Sequence, residues 1–408
     1  MKKLLLITIV ALSINANAQW VQQVSGVTDI LSDVYFVNTQ VGYATTSVIG
    51  ANYMLKTTDG GTTWGQTGGT NANANTVWFT SIDTGYVSKG ASVYKTNDGG
   101  GTWTFTALTG ANYSAKLCFT SASTGYAATS SGVYTGLLFK TTNRGATWNS
   151  ITGTTFAQLY GVSFPSADTG YVVGRSGLGG WVQKTTDAGL TWTTLNSGTS
   201  SSGATIYLNS VYFIPHTKVG YIAGYDGSTL SGILLKTTDG TTWANITPAS
   251  CPEMYSVNFV DINTGWAVGG AGTNIYYTND GGLTWTTQLT SATDNLHSVF
   301  FVDAYNGWAV GTSGKIESFH TSVGITEMKN ENFTIAPNPF TSQTTITFNA
   351  EQKNTTIKLT DILGKEIKTI NFTGRQLVIE RGELKEGIYF VQTTDEQKHI
   401  SNTKIVIQ

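Results

Sequence analysis

Lys184-Thr-Thr-Asp-Ala-Gly-Leu-Thr-Trp192 (KTTDAGLTW) decides the fold, because the chain repeats it. KTTDGGTTW starts at Lys56, KTNDGGGTW at Lys95, KTTNRGATW at Lys140 and YTNDGGLTW at Tyr277, and a version one residue shorter, KTTDGTTW, starts at Lys236. The shared pattern, Thr-x-Asp/Asn-x-Gly-x-Thr-Trp, follows an apolar strand-like run and precedes a short Thr-rich one, which places it in a hairpin turn. The residue types suit a tight turn. An Asp or Asn side-chain oxygen accepts backbone N–H bonds across it, Gly accepts positive φ, and the Trp packs beside the hairpin.

A second repeat runs in phase. VYFVNTQVGYA from Val34, VWFTSIDTGYV from Val77, LCFTSASTGYA from Leu117 and VSFPSADTGYV from Val162 are followed by VYFIPHTKVGYI from Val211, VNFVDINTGWA from Val257 and VFFVDAYNGWA from Val299. The Gly-Tyr/Trp pairs at Gly42, Gly85, Gly125, Gly170, Gly220, Gly265 and Gly307 lie 43, 40, 45, 50, 45 and 42 residues apart. A period of that length with four strand-like runs per unit predicts a propeller blade. The first strands are apolar on both faces, as blades stacked face to face require. Asp83, Asp168 and Asp261, just before the Gly-Tyr/Trp pairs, read as turn formers.

The boxes resemble the Asp-box, or BNR repeat, of sialidases, sortilin-type receptors and photosystem II assembly factors. The resemblance implies that Asp59, Trp64, Asp98, Trp103, Asn143, Trp148, Asp187, Trp192, Asp239, Trp243, Asp280 and Trp285 are fold elements at the blade periphery. There are seven first strands but six boxes, and nothing box-like follows Trp308. The missing outer strand is sought at the other end, where Trp20-Val-Gln-Gln23 looks like the strands that follow the boxes. The expectation is an all-β chain: a seven-bladed propeller over 19–321, closed by its own N-terminus so that no sheet edge is left open, and then a small C-terminal β-sandwich.

Residues 1–18 read as a secretory signal peptide, with Lys2 and Lys3, an apolar stretch and Ala16-Asn17-Ala18 at the cleavage point. Residues 322–332 are polar and lack the repeat, as a linker does. Residues 333–408 resemble the type A sorting domain of the Bacteroidota type IX secretion system, through Ala336-Pro-Asn-Pro-Phe340, Asp361-Ile-Leu-Gly364, Gly387-Ile-Tyr-Phe-Val391 and Lys404-Ile-Val-Ile-Gln408. The resemblance implies export across both membranes, recognition by the translocon and handling by a sortase-like peptidase, with the product extracellular or on the outer-membrane surface.

Function classes separate unequally. The formal charge of −2 gives no reason to expect nucleic acid. A sialidase grips its substrate carboxylate with clustered arginines, and the propeller has two, Arg144 and Arg175. Other glycoside hydrolases need two facing carboxylates. The weak catalytic candidates are Asp29, Asp33 and Asp294, which enter the first and last blades on the face opposite the boxes, with Asp226 and Glu253 on the same face. The favoured reading is a binding or adhesion module for glycan or protein, with ligand contact at Arg175, Trp181, Tyr225 and Asp226 on that rim. Tyr53, Tyr113, Tyr134 and Tyr207 add aromatic surface. The histidines lack ligand spacing and no phosphate loop is present, so no metal and no cofactor are expected. Cys118 and Cys251 make no disulfide framework.

Overall fold

The computed structural model describes residues 20–320 and 333–408, apart from 48–52, 69–73, 114, 133–134, 153–155, 200–204, 271–273, 291–293, 362–364 and 397–399. The signal peptide and the linker lie outside the described residues. The chain divides into two compact units between Thr321 and Ser322.

The first unit is seven four-stranded antiparallel sheets. Six are formed in chain order, over 31–68, 74–107, 116–150, 158–195, 206–245 and 254–289. In the seventh, Leu296–Asp303, Asn306–Gly311 and Ile316–His320 are completed by Trp20–Gln23, paired antiparallel from Trp20 opposite Phe319 to Gln23 opposite Ile316. The strand the missing box called for is therefore the N-terminal one. Seven inner strands stand side by side and the last neighbours the first, so the ring is closed.

One aromatic arrangement explains both repeats. The Tyr or Trp of each Gly-Tyr/Trp pair stacks on the inner-strand Phe of the next blade. The pairs are Tyr43 on Phe79, Tyr86 on Phe119, Tyr126 on Phe164, Tyr171 on Phe213, Tyr221 on Phe259, Trp266 on Phe301 and, across the closure, Trp308 on Phe36, with centroids 3.4 to 4.2 Å apart. The same Phe meets the Trp of its own box edge to face, as in Phe36–Trp64, Phe119–Trp148, Phe164–Trp192, Phe213–Trp243 and Phe259–Trp285. In the seventh blade Trp20 takes that place against Phe301, at 5.7 Å and 87°. The Gly of the pair is needed because the Phe of its own blade lies across it: a Cβ on Gly42 would sit 2.4 Å from the Phe36 ring.

The box is also a clamp between blades. In the first, Asp59 Oδ1 accepts from the Thr57 hydroxyl and the Thr63 N–H, and Oδ2 accepts from the Thr63 hydroxyl. The two residues after the Asp or Asn hold positive φ in every full-length box, including Arg144 at 58° and Ala188 at 57°. That conformation turns a carbonyl toward the preceding blade. Gly99 O accepts from Tyr43 Oη at 2.9 Å and Lys56 Nζ at 2.7 Å, and Ala188 O accepts from Tyr126 and Lys140 in the same way. Hydrogen bonds to the carboxylate hold the box acids below their ordinary value, Asp187 and Asp280 at about 2.

The second unit is one curled five-stranded antiparallel sheet. Gln343–Asp361 and Glu366–Glu380 pair along most of their length, with register breaks between Thr347 and Thr355 where the long strands turn a corner. Phe333–Ala336 pairs with the first half of Gln343–Asp361, and Gly387–Thr394 with the second. Phe333, Ile346, Phe348, Ile357, Leu359, Val391 and Ile405 fill the core between.

Candidate functional site

In an antiparallel blade the first-to-second and third-to-fourth turns share one end. The boxes therefore occupy one face of the ring, and the inner strands begin at the other. Each described inner strand except that of the third blade breaks register near its start: between Leu31 and Asp33, Ala74 and Thr76, Leu159 and Gly161, Leu208 and Ser210, Met254 and Ser256, and Leu296 and Ser298. The residues passed over are Ser32, Asn75, Tyr160, Asn209, Tyr255 and His297. A bulge re-aims its extra residue, and these six line a hollow of about 580 Å³ at the mouth of the central channel. In the third blade Ala115 occupies the equivalent place, and Lys116 beside it lines the hollow instead. Tyr113, Ser130 and Gln158 also line it. The channel continues beneath, about 560 Å³, walled by all seven inner strands.

Around the fourth to seventh blades the aromatics form a continuous arc. Tyr160 lies 6.2 Å from Tyr207, Tyr207 stacks on Tyr225 at 4.7 Å, Tyr225 meets Tyr255 edge to face at 6.2 Å, and Tyr255 stacks on His297 at 5.4 Å. The Arg175 guanidinium lies 4.7 Å over the Tyr207 ring, and Nη1 donates to a hydroxyl, that of Tyr207, at 2.7 Å. Glu253 accepts from the Tyr255 hydroxyl. Burial, with the Lys116 charge acting the same way, lowers the His297 pKa, and its Nε2 is buried without a hydrogen-bond partner. Burial likewise raises the pKa of Tyr225 and Tyr255.

The structure separates the four rim residues singled out by sequence. Arg175 and Tyr225 belong to the arc. Trp181 packs edge to face on Phe156, 6.3 Å away, within the apolar cluster between the third and fourth blades. Asp226 closes its own turn, its carboxylate accepting from the Ser228 N–H and its carbonyl from the Leu230 N–H. Of the carboxylates weighed for catalysis, Asp33 is not in an entering loop but inside the strand Leu31–Phe36. Its carboxylate accepts from Thr76 Oγ1 at 2.7 Å, Val77 N at 3.0 Å and Ser298 Oγ at 2.7 Å, joining the first, second and seventh blades. Asp29 is in a loop, where its carbonyl accepts from Gly314 N, and Asp294 precedes the last inner strand; neither lines the hollow. Arg144 sits in a box on the far face from Arg175. Tyr134 and the Tyr53 side chain lie outside the described residues. Among the described residues no group of three His, Cys, Asp or Glu side chains is placed to hold a metal ion. Cys118 and Cys251 are both buried and unbonded to each other.

Sequence reasoning missed the hollow. The seven first strands, aligned on their Val or Leu, place Ser32, Asn75, Ala115, Tyr160, Asn209, Tyr255 and His297 two residues upstream. Polar and aromatic variety there, two residues ahead of the constant Val or Leu, was the available signal.

Fold and site together define a seven-bladed propeller with a bulge-lined mouth, joined to a separate C-terminal β unit. Residues 334–408 match the family model of the secretion system C-terminal sorting domain, so the chain carries a tail for export to the cell surface or for secretion. No curated protein sequence matches the chain significantly. Among solved structures it is similar to YCF48 from Cyanidioschyzon merolae, at 20% identity and TM-score 0.60 over 74% of this chain and 99% of that one. It is also similar to PorZ of the type IX secretion system of Porphyromonas gingivalis, at 14% identity and TM-score 0.57 over 95% of this chain and 60% of that one. A Niastella koreensis GH74 enzyme matches at 18% identity and TM-score 0.58, over 81% of this chain and 60% of that one. These likenesses concern the fold.

Proposed function

We propose that the propeller is the binding module of an exported protein and that the channel mouth opposite the Asp-boxes seats its ligand, a glycan or a protein segment. The observation that carries this reading is the set of six bulges, which bring a variable polar or aromatic side chain from each of six blades into one hollow. Rigid strands, not mobile loops, hold those side chains, as a recognition site requires. The arc from Tyr160 to His297 adds stacking surface that suits sugar rings and protein side chains. One similar propeller has been solved bound to D1 peptide, which supports a non-catalytic role for such a ring.

The alternative, glycoside hydrolysis, draws on the GH74 likeness. It needs two carboxylates facing the scissile bond, roughly 5 to 10 Å apart. Asp33 is occupied in joining blades, and Asp29 and Asp294 stand away from the hollow, which favours binding. The sorting tail supports a ring that works outside the cell, reached in this proposal through an N-terminal signal peptide, translocon recognition of 333–408 and sortase-like processing.

The test is an array of glycans and peptides probed with the full chain, with Tyr255→Ala, and with Leu190→Ala, whose side chain is 76% exposed on the box face. Signals lost with Tyr255→Ala and kept with Leu190→Ala support the seat; signals indifferent to Tyr255→Ala reject it.

A further inference from the structure

The charge around the hollow is one-sided. Among its described lining residues there is no Asp or Glu, whereas the Lys116 ammonium faces it, with the His297 imidazole alongside. Lys116 belongs to no ion pair: the pairs found among the described residues, Lys358–Glu366 and Arg381–Glu386, are both in the C-terminal unit. The Lys116 ammonium reaches the Asn75 carbonyl at a long 3.5 Å. His297 Nε2 is buried beside the same space with no partner. Two acids close in sequence to lining or arc residues are already engaged, Asp33 with Thr76, Val77 and Ser298, and Glu253 with Tyr255. A half-buried ammonium and a partnerless imidazole nitrogen in a mouth without carboxylates form a seat for an anion, where a charge-assisted bond is stronger than a neutral one.

We infer that the ligand is an acidic oligosaccharide, a hexuronate-containing glycan whose carboxylate sits between Lys116 and His297. This rests on the reading of the mouth as the binding seat and narrows it to a ligand class. A carboxylate is a better fit than a phosphate because the seat offers one ammonium and one imidazole, with no arginine fork in the hollow. A sugar fits better than an acidic peptide because most of the other lining residues, among them Asn75, Ser130, Gln158 and the Tyr113 and Tyr160 rings, present hydroxyls, amides and aromatic rings, with Ile30, Ala128 and Leu159 as the aliphatic part. Amides and hydroxyls pair with vicinal sugar hydroxyls, and aromatic faces stack on pyranose C–H groups. The hollow's volume accommodates a short oligosaccharide.

Calorimetric titration of the full chain tests this with tetragalacturonate, its carboxyl-reduced neutral counterpart and a tetraglutamate peptide. Tetragalacturonate is expected to bind at least about tenfold more tightly than the other two, the equivalent of about 1.4 kcal/mol. Lys116→Gln should weaken it by about tenfold or more, Lys116→Arg should restore most of the loss, and raised salt should weaken it further. Melting curves of both variants establish that the ring is intact. Equal binding of the neutral sugar, indifference to Lys116→Gln, preference for tetraglutamate, or no binding of tetragalacturonate each overturns the inference. If neutral glycans still bind and lose affinity in Tyr255→Ala, the seat stands and only the acidic class falls.

Discussion

Removing the Trp20 side chain should open the ring at its one non-sequential seam. Trp20 is 2% exposed, edge to face on Phe301, 5.3 Å from Phe319, and its Nε1 donates to Gln288 Oε1 at 2.8 Å. It is the seventh copy of the box tryptophan, supplied by the strand that completes the last blade. Truncating a fully packed Trp costs about 3–5 kcal/mol from lost burial and the cavity left, and an aromatic pair of this geometry contributes about 0.5–1.5 kcal/mol within that. Trp20→Ala is therefore expected to lose about 3–5 kcal/mol. Trp20→Phe, which keeps the ring but not the hydrogen bond, should lose about 1–2 kcal/mol. Val21→Ala, at a side chain 59% exposed on the same strand, should stay within about 0.5 kcal/mol. All 11 tryptophans precede residue 322, so tryptophan fluorescence in urea follows the propeller without the C-terminal unit. A loss below about 1 kcal/mol for Trp20→Ala, no larger than for Val21→Ala, would refute the closure as a stability device.

Acid should loosen the boxes in a defined window. Their carboxylates are held below the ordinary value of 3.8, so the stability they add is present above it and is lost as pH falls through the folded values near 2. The melting temperature is expected to hold from about pH 7 to 4.5 and fall between about 4 and 2, and a decline beginning near pH 6 would contradict this. Gly42→Ala drives a methyl into the Phe36 ring and should cost about 1–3 kcal/mol by urea melts, whereas Gly65→Ala, with nothing within 4 Å of its Cβ, should change stability by about 0.5 kcal/mol or less. Tyr225→Ala should weaken a bound ligand by about 1–3 kcal/mol with folding unchanged. Trp181→Ala, which empties part of the cluster around Phe156, should instead lower the melting temperature and leave affinity alone.

The architecture was legible because its devices are local and repeated. The box turn, the Gly under the Phe ring and the Lys that reaches the next blade each leave a residue type at a fixed spacing, six, seven and five times over. Ring closure was legible too, since a missing Trp-bearing strand has to come from somewhere. The mouth was not. Ser32, Tyr160 and His297 converge only because a bulge turns each out of its strand, and a bulge has no composition of its own at these positions. Asp33 shows the opposite failure. It looks like a loop acid in the sequence, but the topology places Thr76 and Ser298 on either side of it, and those bonds cross from one blade to two others. Trp181 reads as surface beside Arg175, yet successive strand residues point to opposite faces of the sheet, and the ring it meets is Phe156, in the cluster between the third and fourth blades.

The most direct test of the whole account is a crystal structure of the full chain with the strongest ligand from the array. The account predicts ligand density in the hollow ringed by Asn75, Lys116, Tyr160, Tyr255 and His297, on the face away from the boxes. Density on the box face or on the outer edge of the blades, with the hollow holding only water, would contradict it.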